Sequence, residues 1–214
     1  MKIRPNLTSA LFLLTPILLT SSIIFCGCKK KKNNSTENAT YYYKATIDGK
    51  DYIQTATDVN GYEAGSALGG VDDVTLSADI TPHDYQYDKG KTSMDVTKGI
   101  LHNYLSITDQ QFYQFFTPGT YHFTSGPSYD PYKNGDGITI TWFDENGAEW
   151  DTFSGTGDQT GSAIKIINEQ DEQSPLDYSL RIKVQFSCKL YNYNTGEMKQ
   201  LSNGELVGVF AEIE

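Results

Sequence analysis

The chain has 214 residues, of which 17 are Lys or Arg and 27 are Asp or Glu; the formal net charge is −10 and the pI is near 4.7. Residues 1–40 hold six basic residues and one acidic residue, whereas residues 41–214 hold 11 and 26; a body that negative repels a nucleic-acid backbone instead of releasing its counterions. Three Cys exclude a disulfide scaffold and a Cys-rich zinc domain, and 13% aromatics with 15 Tyr argue against a disordered chain.

The N-terminus reads as an address. Lys2 and Arg4 precede a mostly apolar stretch from Leu11 to Phe25. It is short for a bilayer span, which needs about 20 residues, and Pro16 and Thr20-Ser21-Ser22 weaken it further. Basic segment, apolar segment and small-residue exit make a secretory signal peptide over residues 1–27. The junction Phe25-Cys26-Gly27-Cys28-Lys29 resembles a bacterial lipoprotein signal. The resemblance implies that the Cys28 thiol takes a diacylglyceryl group and that cleavage leaves Cys28 as the first residue. The peptidase needs a small residue before the Cys; Gly27 serves Cys28, whereas Phe25 does not serve Cys26, the alternative. Residues 28–40 then form the lipidated Cys and a polar Lys-rich tether, Lys29 to Lys32 followed by NNSTENAT, with nothing to bury. The four Lys suit anionic head groups and equally a solvated spacer.

From Tyr41 the chain is expected to form strands in a single domain over residues 41–214. Tyr41, Tyr43, Ala45 and Ile47 share one face, and Asp48-Gly49 predicts a type I′ hairpin turn. Residues 58–73, rich in Gly, Asp and Ala, read as a loop. Val74 to Ile80 alternates, Pro82 to Lys91 reads as irregular, and Ile100 to Thr108 reads as a strand with Leu101, Leu105 and Ile107 on one face. Phe112, Phe115 and Phe116 have helical spacing, with Asp109 as the expected cap. Further strands are expected at Tyr121 and Phe123, at Ile138 to Trp142, at Trp150 to Ser154 and at Ile164 to Ile166. From Tyr178 to Leu190 every even position is apolar and every odd one polar or small; a period of 2.0 over that length excludes an amphipathic helix. Asn194-Thr195-Gly196 and Asn203-Gly204 are expected to turn the chain twice more, making the last third a meander. The sum is an all-β domain, an antiparallel β-sandwich or partly closed barrel of about nine or ten strands with at most one short helix.

Reactive constellations are scarce. His83, His102 and His122 stand in no HxH or HExxH pattern and there is no CxxC, so no metal site and no cofactor is expected. Neither a GxSxG elbow nor a phosphate loop occurs. Asp144, Glu145, Glu149 and Asp151 surround the Asn146-Gly147 turn and read as a charged hairpin; Cys188, on the apolar face of its strand, reads as a small buried hydrophobe. Trp142 and Trp150 are expected in the core. Tyr129 and Tyr132, with Tyr85, Tyr87, Tyr191 and Tyr193, lie in loops or at strand ends, where aromatic faces suit sugar rings; Tyr129 and Tyr132 are the ligand-binding candidates.

With Cys28-Lys29-Lys30 before a polar tether, YKATIDGKDY at Tyr43 to Tyr52, PGTYHF at Pro118 to Phe123, SGTGDQTGSAIKI at Ser154 to Ile166 and the run from Phe186 to Phe210, the chain resembles the small β-rich lipoproteins of Bacteroidota. That resemblance implies a lipid anchor in the outer membrane and a β-sandwich-like fold, and supplies no catalytic residues. The expected function is a lipid-anchored, non-enzymatic envelope protein with a binding or structural role and a glycan or envelope protein as partner. The alternatives are a glycan-binding accessory lipoprotein of a polysaccharide uptake system and, behind it, a carboxylate-dependent hydrolase.

Overall fold

The computed structural model describes residues 41–57, 59–83, 90–124, 136–173 and 178–211; the leader, Cys28, the tether, Tyr129 and Tyr132 lie outside them. In chain order the elements are β1 (Tyr42–Ile47), β2 (Lys50–Thr55), β3 (Tyr62–Gly70), β4 (Val74–Pro82), β5 (Ser93–Leu101), a 3-10 turn (Tyr104–Ser106), α1 (Asp109–Phe115), β6 (Gly119–Tyr121), β7 (Gly137–Phe143), β8 (Glu149–Asp151), β9 (Ala163–Gln173), β10 (Tyr178–Asn192) and β11 (Met198–Ala211). All the ladders between them are antiparallel.

The long period-two segment is the spine. β10 pairs with β11 along nearly its whole length. On its other side it pairs first with β9 and then, at Tyr191 and Asn192, with β8. The sheet forks there, giving one half ordered β2-β1-β11-β10-β9-β6 and another ordered β8-β7-β5-β4-β3. It curls into a half-barrel, the all-β architecture the alternation predicts. Apolar side chains of both halves meet inside. Leu180, Ile182, Val184, Cys188 and Leu190 of β10 face Leu76, Ala78 and Ile80 of β4 and Ile138, Ile140 and Trp142 of β7, all 1% exposed or less. Tyr52 meets Trp142 edge-to-face at 5.1 Å. Gly208 is bare where β11 crosses β4, since a Cβ there would lie 2.8 Å from that of Ala78. Phe112 and Phe116 are wholly buried, and Phe116 packs on Phe210 of β11 at 4.8 Å.

Four expectations are corrected. Residues 62–70 form an edge strand, not a loop. Small residues read as a loop signal, but Gly65 is required: a Cβ there would fall 2.6 Å from the Asp79 carboxylate on the neighbouring strand. The strand expected at 100–108 is instead β5, ending at Leu101, followed by the 3-10 turn that leaves Leu105 74% exposed. β5 escapes a pattern search because Lys98 occupies an inward position, with its Nζ 3.8 Å from the centre of the Phe115 ring and 4.7 Å from that of Tyr121. The cap of α1 is Thr108, not Asp109; Thr108 and Gln111 form a capping box. Asn203-Gly204 makes no hairpin turn. β11 runs straight through it as a bulge, with Phe186 opposite Gly204 but Cys188 opposite Leu201. The expected I′ hairpin does form, with Asp48 at φ 47° and Gly49 at φ 81°.

The bulge has a packing cause. A Cβ on Gly204 would sit 2.4 Å from the Phe186 ring and 2.7 Å from Leu201. Gly204→Ala should therefore lower stability by about 1–3 kcal/mol through overpacking, measured as a drop in the urea midpoint. Gly119→Ala, where the nearest atom is 4.0 Å away, should leave that midpoint within about 0.5 kcal/mol.

Candidate functional site

Side chains on one face of a sheet line up across its strands about 4.8 Å apart. On the outer face of the β10 half, ladder register places Lys44 of β1, Glu205 of β11, Gln185 of β10, Lys165 of β9 and Thr120 of β6 in one row. The next row holds Tyr42, Val207, Lys183 and Asn168, and the one beyond it Arg181 and Gln170. Among the described residues these three rows thus carry four cations and one carboxylate, on a domain that is otherwise strongly acidic. The β11 bulge opens a groove of about 510 Å³ here, lined by Lys44, Thr120, Lys165, Gln185, Asn203 and Glu205. That volume lies in the range of small-ligand sites.

Glu205 organises the face. It is 4% exposed, and its Oε1 accepts from Tyr42 Oη at 2.6 Å and pairs with Lys44 Nζ at 3.0 Å. Oε2 accepts from Gln185 Nε2 at 2.8 Å and pairs with Lys183 Nζ at 2.9 Å. Burial alone would push its pKa up, but the hydrogen bonds from Tyr42, Gln185, Lys183 and Lys44 outweigh it and hold the carboxyl down at about 2. The Gln185 amide donates to Glu205 and so turns its carbonyl outward as an acceptor. Lys165 is exposed and has no ion-pair partner among the described residues. Asn203 stands at φ 54°, the left-handed conformation Asn tolerates, on the crest of the bulge. Sequence reasoning missed this site because its residues come from five strands; only register unites them, although the odd positions of β10 already read as a polar face.

Other candidates are occupied by structural work. Asp144 Oδ1 accepts from the amides of Asn146 and Ala148, both at 2.9 Å, and its Oδ2 from Trp150 Nε1 at 3.2 Å. Glu145 pairs with Lys50. Asp151, wholly buried, accepts from the Phe153 amide at 2.8 Å and from Ser154. Asp144 and Asp151 therefore hold their turns, while the Glu149 carboxyl is raised by burial and by the Asp151 charge. Trp142 and Trp150 lie in the core, and Cys188 is wholly buried with its thiol pKa pushed up by burial. Tyr191 is buried with its hydroxyl donating to the Asp158 carbonyl at 2.8 Å, while Tyr193 is 62% exposed. His83, His102 and His122 are exposed, and no group of three or more His, Cys, Asp or Glu among the described residues is placed to hold a metal ion. A second groove of about 540 Å³ runs past Tyr121, His122 and Asp158, but its polar groups are bonded within the fold. Asp158 pairs with Lys189 at 2.6 Å, and the Gln159 amide donates to the carbonyls of Thr152 and Lys189, both at 2.8 Å.

One carboxylate pair does have raised pKa values. Asp79 and Asp95 face each other across β4 and β5. Burial pushes Asp95 up to about 7, with the Asp79 charge adding to it against hydrogen bonds from Thr97 and Ser77; Asp79 is raised by burial and by Glu63. Side by side on one face, they cannot flank a scissile bond from opposite sides as the acid and base of a glycosidase must.

Comparison with protein-family profiles, with curated protein sequences and with solved structures gives no match.

The two carboxyl environments predict opposite pH dependences. Glu205, depressed from 4.5 to about 2, contributes stability that is present above its unfolded pKa and lost as pH falls towards 2. Glu205→Gln should cost on the order of 3 kcal/mol at pH 7 and flatten the acid limb of a thermal-melt series. Asp95, raised from 3.8 to about 7, binds more protons folded than unfolded, so its contribution falls as pH rises from 4 towards 7. Asp95→Asn should remove that slope and raise Tm at pH 8; a melt series unchanged by the substitution would contradict the assignment.

Proposed function

We propose that the chain is a lipid-anchored envelope protein whose β domain binds a ligand and performs no covalent chemistry. The anchor rests on the sequence from Leu11 to Lys29, with Cys28 as the modified residue. The binding role rests on one observation: the groove at the β11 bulge gathers on one sheet Lys165, which has no ion-pair partner among the described residues, with Gln185, whose amide holds Glu205, and the exposed Asn203, whose amide reaches Thr46 Oγ1 at 3.4 Å. Most polar side chains elsewhere in the described domain serve turns and ladders. A preformed concave site on a sheet, offering a few directed polar groups, recognises a partner without a reactive group of its own.

The anchor is tested on its own. Cys28→Ala expressed in a bacterial host should abolish metabolic labelling with radioactive palmitate and move the protein from the membrane pellet to the soluble fraction. A mutant that stays labelled and pelleted would remove the anchor from the proposal.

A further inference from the structure

We infer that the groove at the β11 bulge binds a short acidic oligosaccharide, a chain of sugar rings bearing carboxylates. The inference deepens the ligand-binding reading and rests on it. Two cations flank the middle of the row, Lys44 on β1 and Lys165 on β9, three strand spacings or about 14 Å apart at the backbone. Between them lie neutral hydrogen-bonding groups, the half-buried Gln185 and Ser187 and the exposed Asn203. Charge on either side and neutral hydrogen-bonding groups in the middle match a ligand with separated carboxylates and hydroxyls between them. The one carboxylate in the groove, Glu205, does not repel such a ligand as a bare anion would. Its two oxygens are already engaged by Tyr42, Lys44, Gln185 and Lys183, and its position fixes the two Lys instead. Only one of the three donors on the Lys44 ammonium is engaged by Glu205, and Lys44 is 47% exposed. A flat anionic surface such as a bilayer would meet the Lys tips but leave the concave floor and the recessed amides unused, so the groove favours a ligand that enters it.

The test is isothermal titration of the full-length chain in detergent micelles with a linear tetramer of galacturonic acid. Its controls are the uncharged galactose tetramer and phosphatidylglycerol vesicles. Binding of the uronic acid tetramer is expected, weakening with added salt, and Lys165→Gln should weaken it roughly tenfold, the share of one charge-assisted hydrogen bond. Lys199→Gln, on the Trp150 ring and paired with Asp48 away from the groove, should leave it unchanged. Because Lys165 is exposed and has no ion-pair partner among the described residues, its substitution leaves the fold intact. Equal binding of the neutral tetramer would overturn the acidic specificity while leaving the ligand-binding reading standing. Uronic acid binding indifferent to Lys165→Gln would place the ligand elsewhere and overturn the inference. Vesicle binding lost in Lys165→Gln, without tetramer binding, would replace the sugar with a membrane surface. Silence from all three probes would sink the inference and the groove's role as a ligand site together.

Discussion

The Phe186 ring fills the space that a side chain at position 204 would need. That contact forces a glycine into the middle of β11 and sets two strand residues against one on the neighbouring β1, where Lys44 meets Glu205 and Thr46 meets Ser202. The extra length bends the strand, as bulges do, lifting Asn203 to the outside and opening the floor beneath. On the inside, the same strand passes β4 with Gly208 bare against Ala78, so the two halves of the sheet close at their thinnest point. One strand therefore carries a kink for its outer surface and a close approach for its inner one, and both depend on side chains being absent.

Electrostatics divides the domain into two unlike faces. On the β10 side a buried carboxylate is satisfied by two ammonium groups, a phenol and an amide, an arrangement whose geometry offsets the cost of removing the charge from water. On the β5 side two carboxyls sit opposite each other with no paired cation among the described residues; Asp95 accepts from the Thr97 hydroxyl, Asp79 Oδ1 has no hydrogen-bond partner, and burial raises both pKa values. The first face presents positive charge from a negative domain; the second conceals negative charge. Lys98 adds a third case, an amine inside the half-barrel against Phe115 and Tyr121, its pKa lowered by burial to about 8 against the pull of Asp136.

Most of the architecture was legible wherever one face of a strand is dry and the other wet. β10 announces itself because its thirteen alternating positions from Tyr178 obey that rule without exception, and the Asp48-Gly49 turn because its backbone demands it. The failures have physical reasons. β3 is built of residues small enough to look like a loop, since Asp79 lies over Gly65. β5 hides because Lys98 points inward, its ammonium against two rings. Asn203-Gly204 has the composition of a turn and the environment of a bulge, and only the position of Phe186 decides between them. The groove was illegible for a different cause: its members lie up to 161 positions apart, from Lys44 to Glu205, and nothing local marks which residues of separate strands share a register.

The burial of Cys188 has a consequence for where such a domain can live. It is the one cysteine of residues 41–214, and its sulfur lies within the packed interior of β10. A thiol held protonated and out of reach is a poor attacking group in disulfide exchange. The folded half-barrel thus draws no rigidity from a disulfide and offers thiol oxidants no accessible cysteine among the described residues.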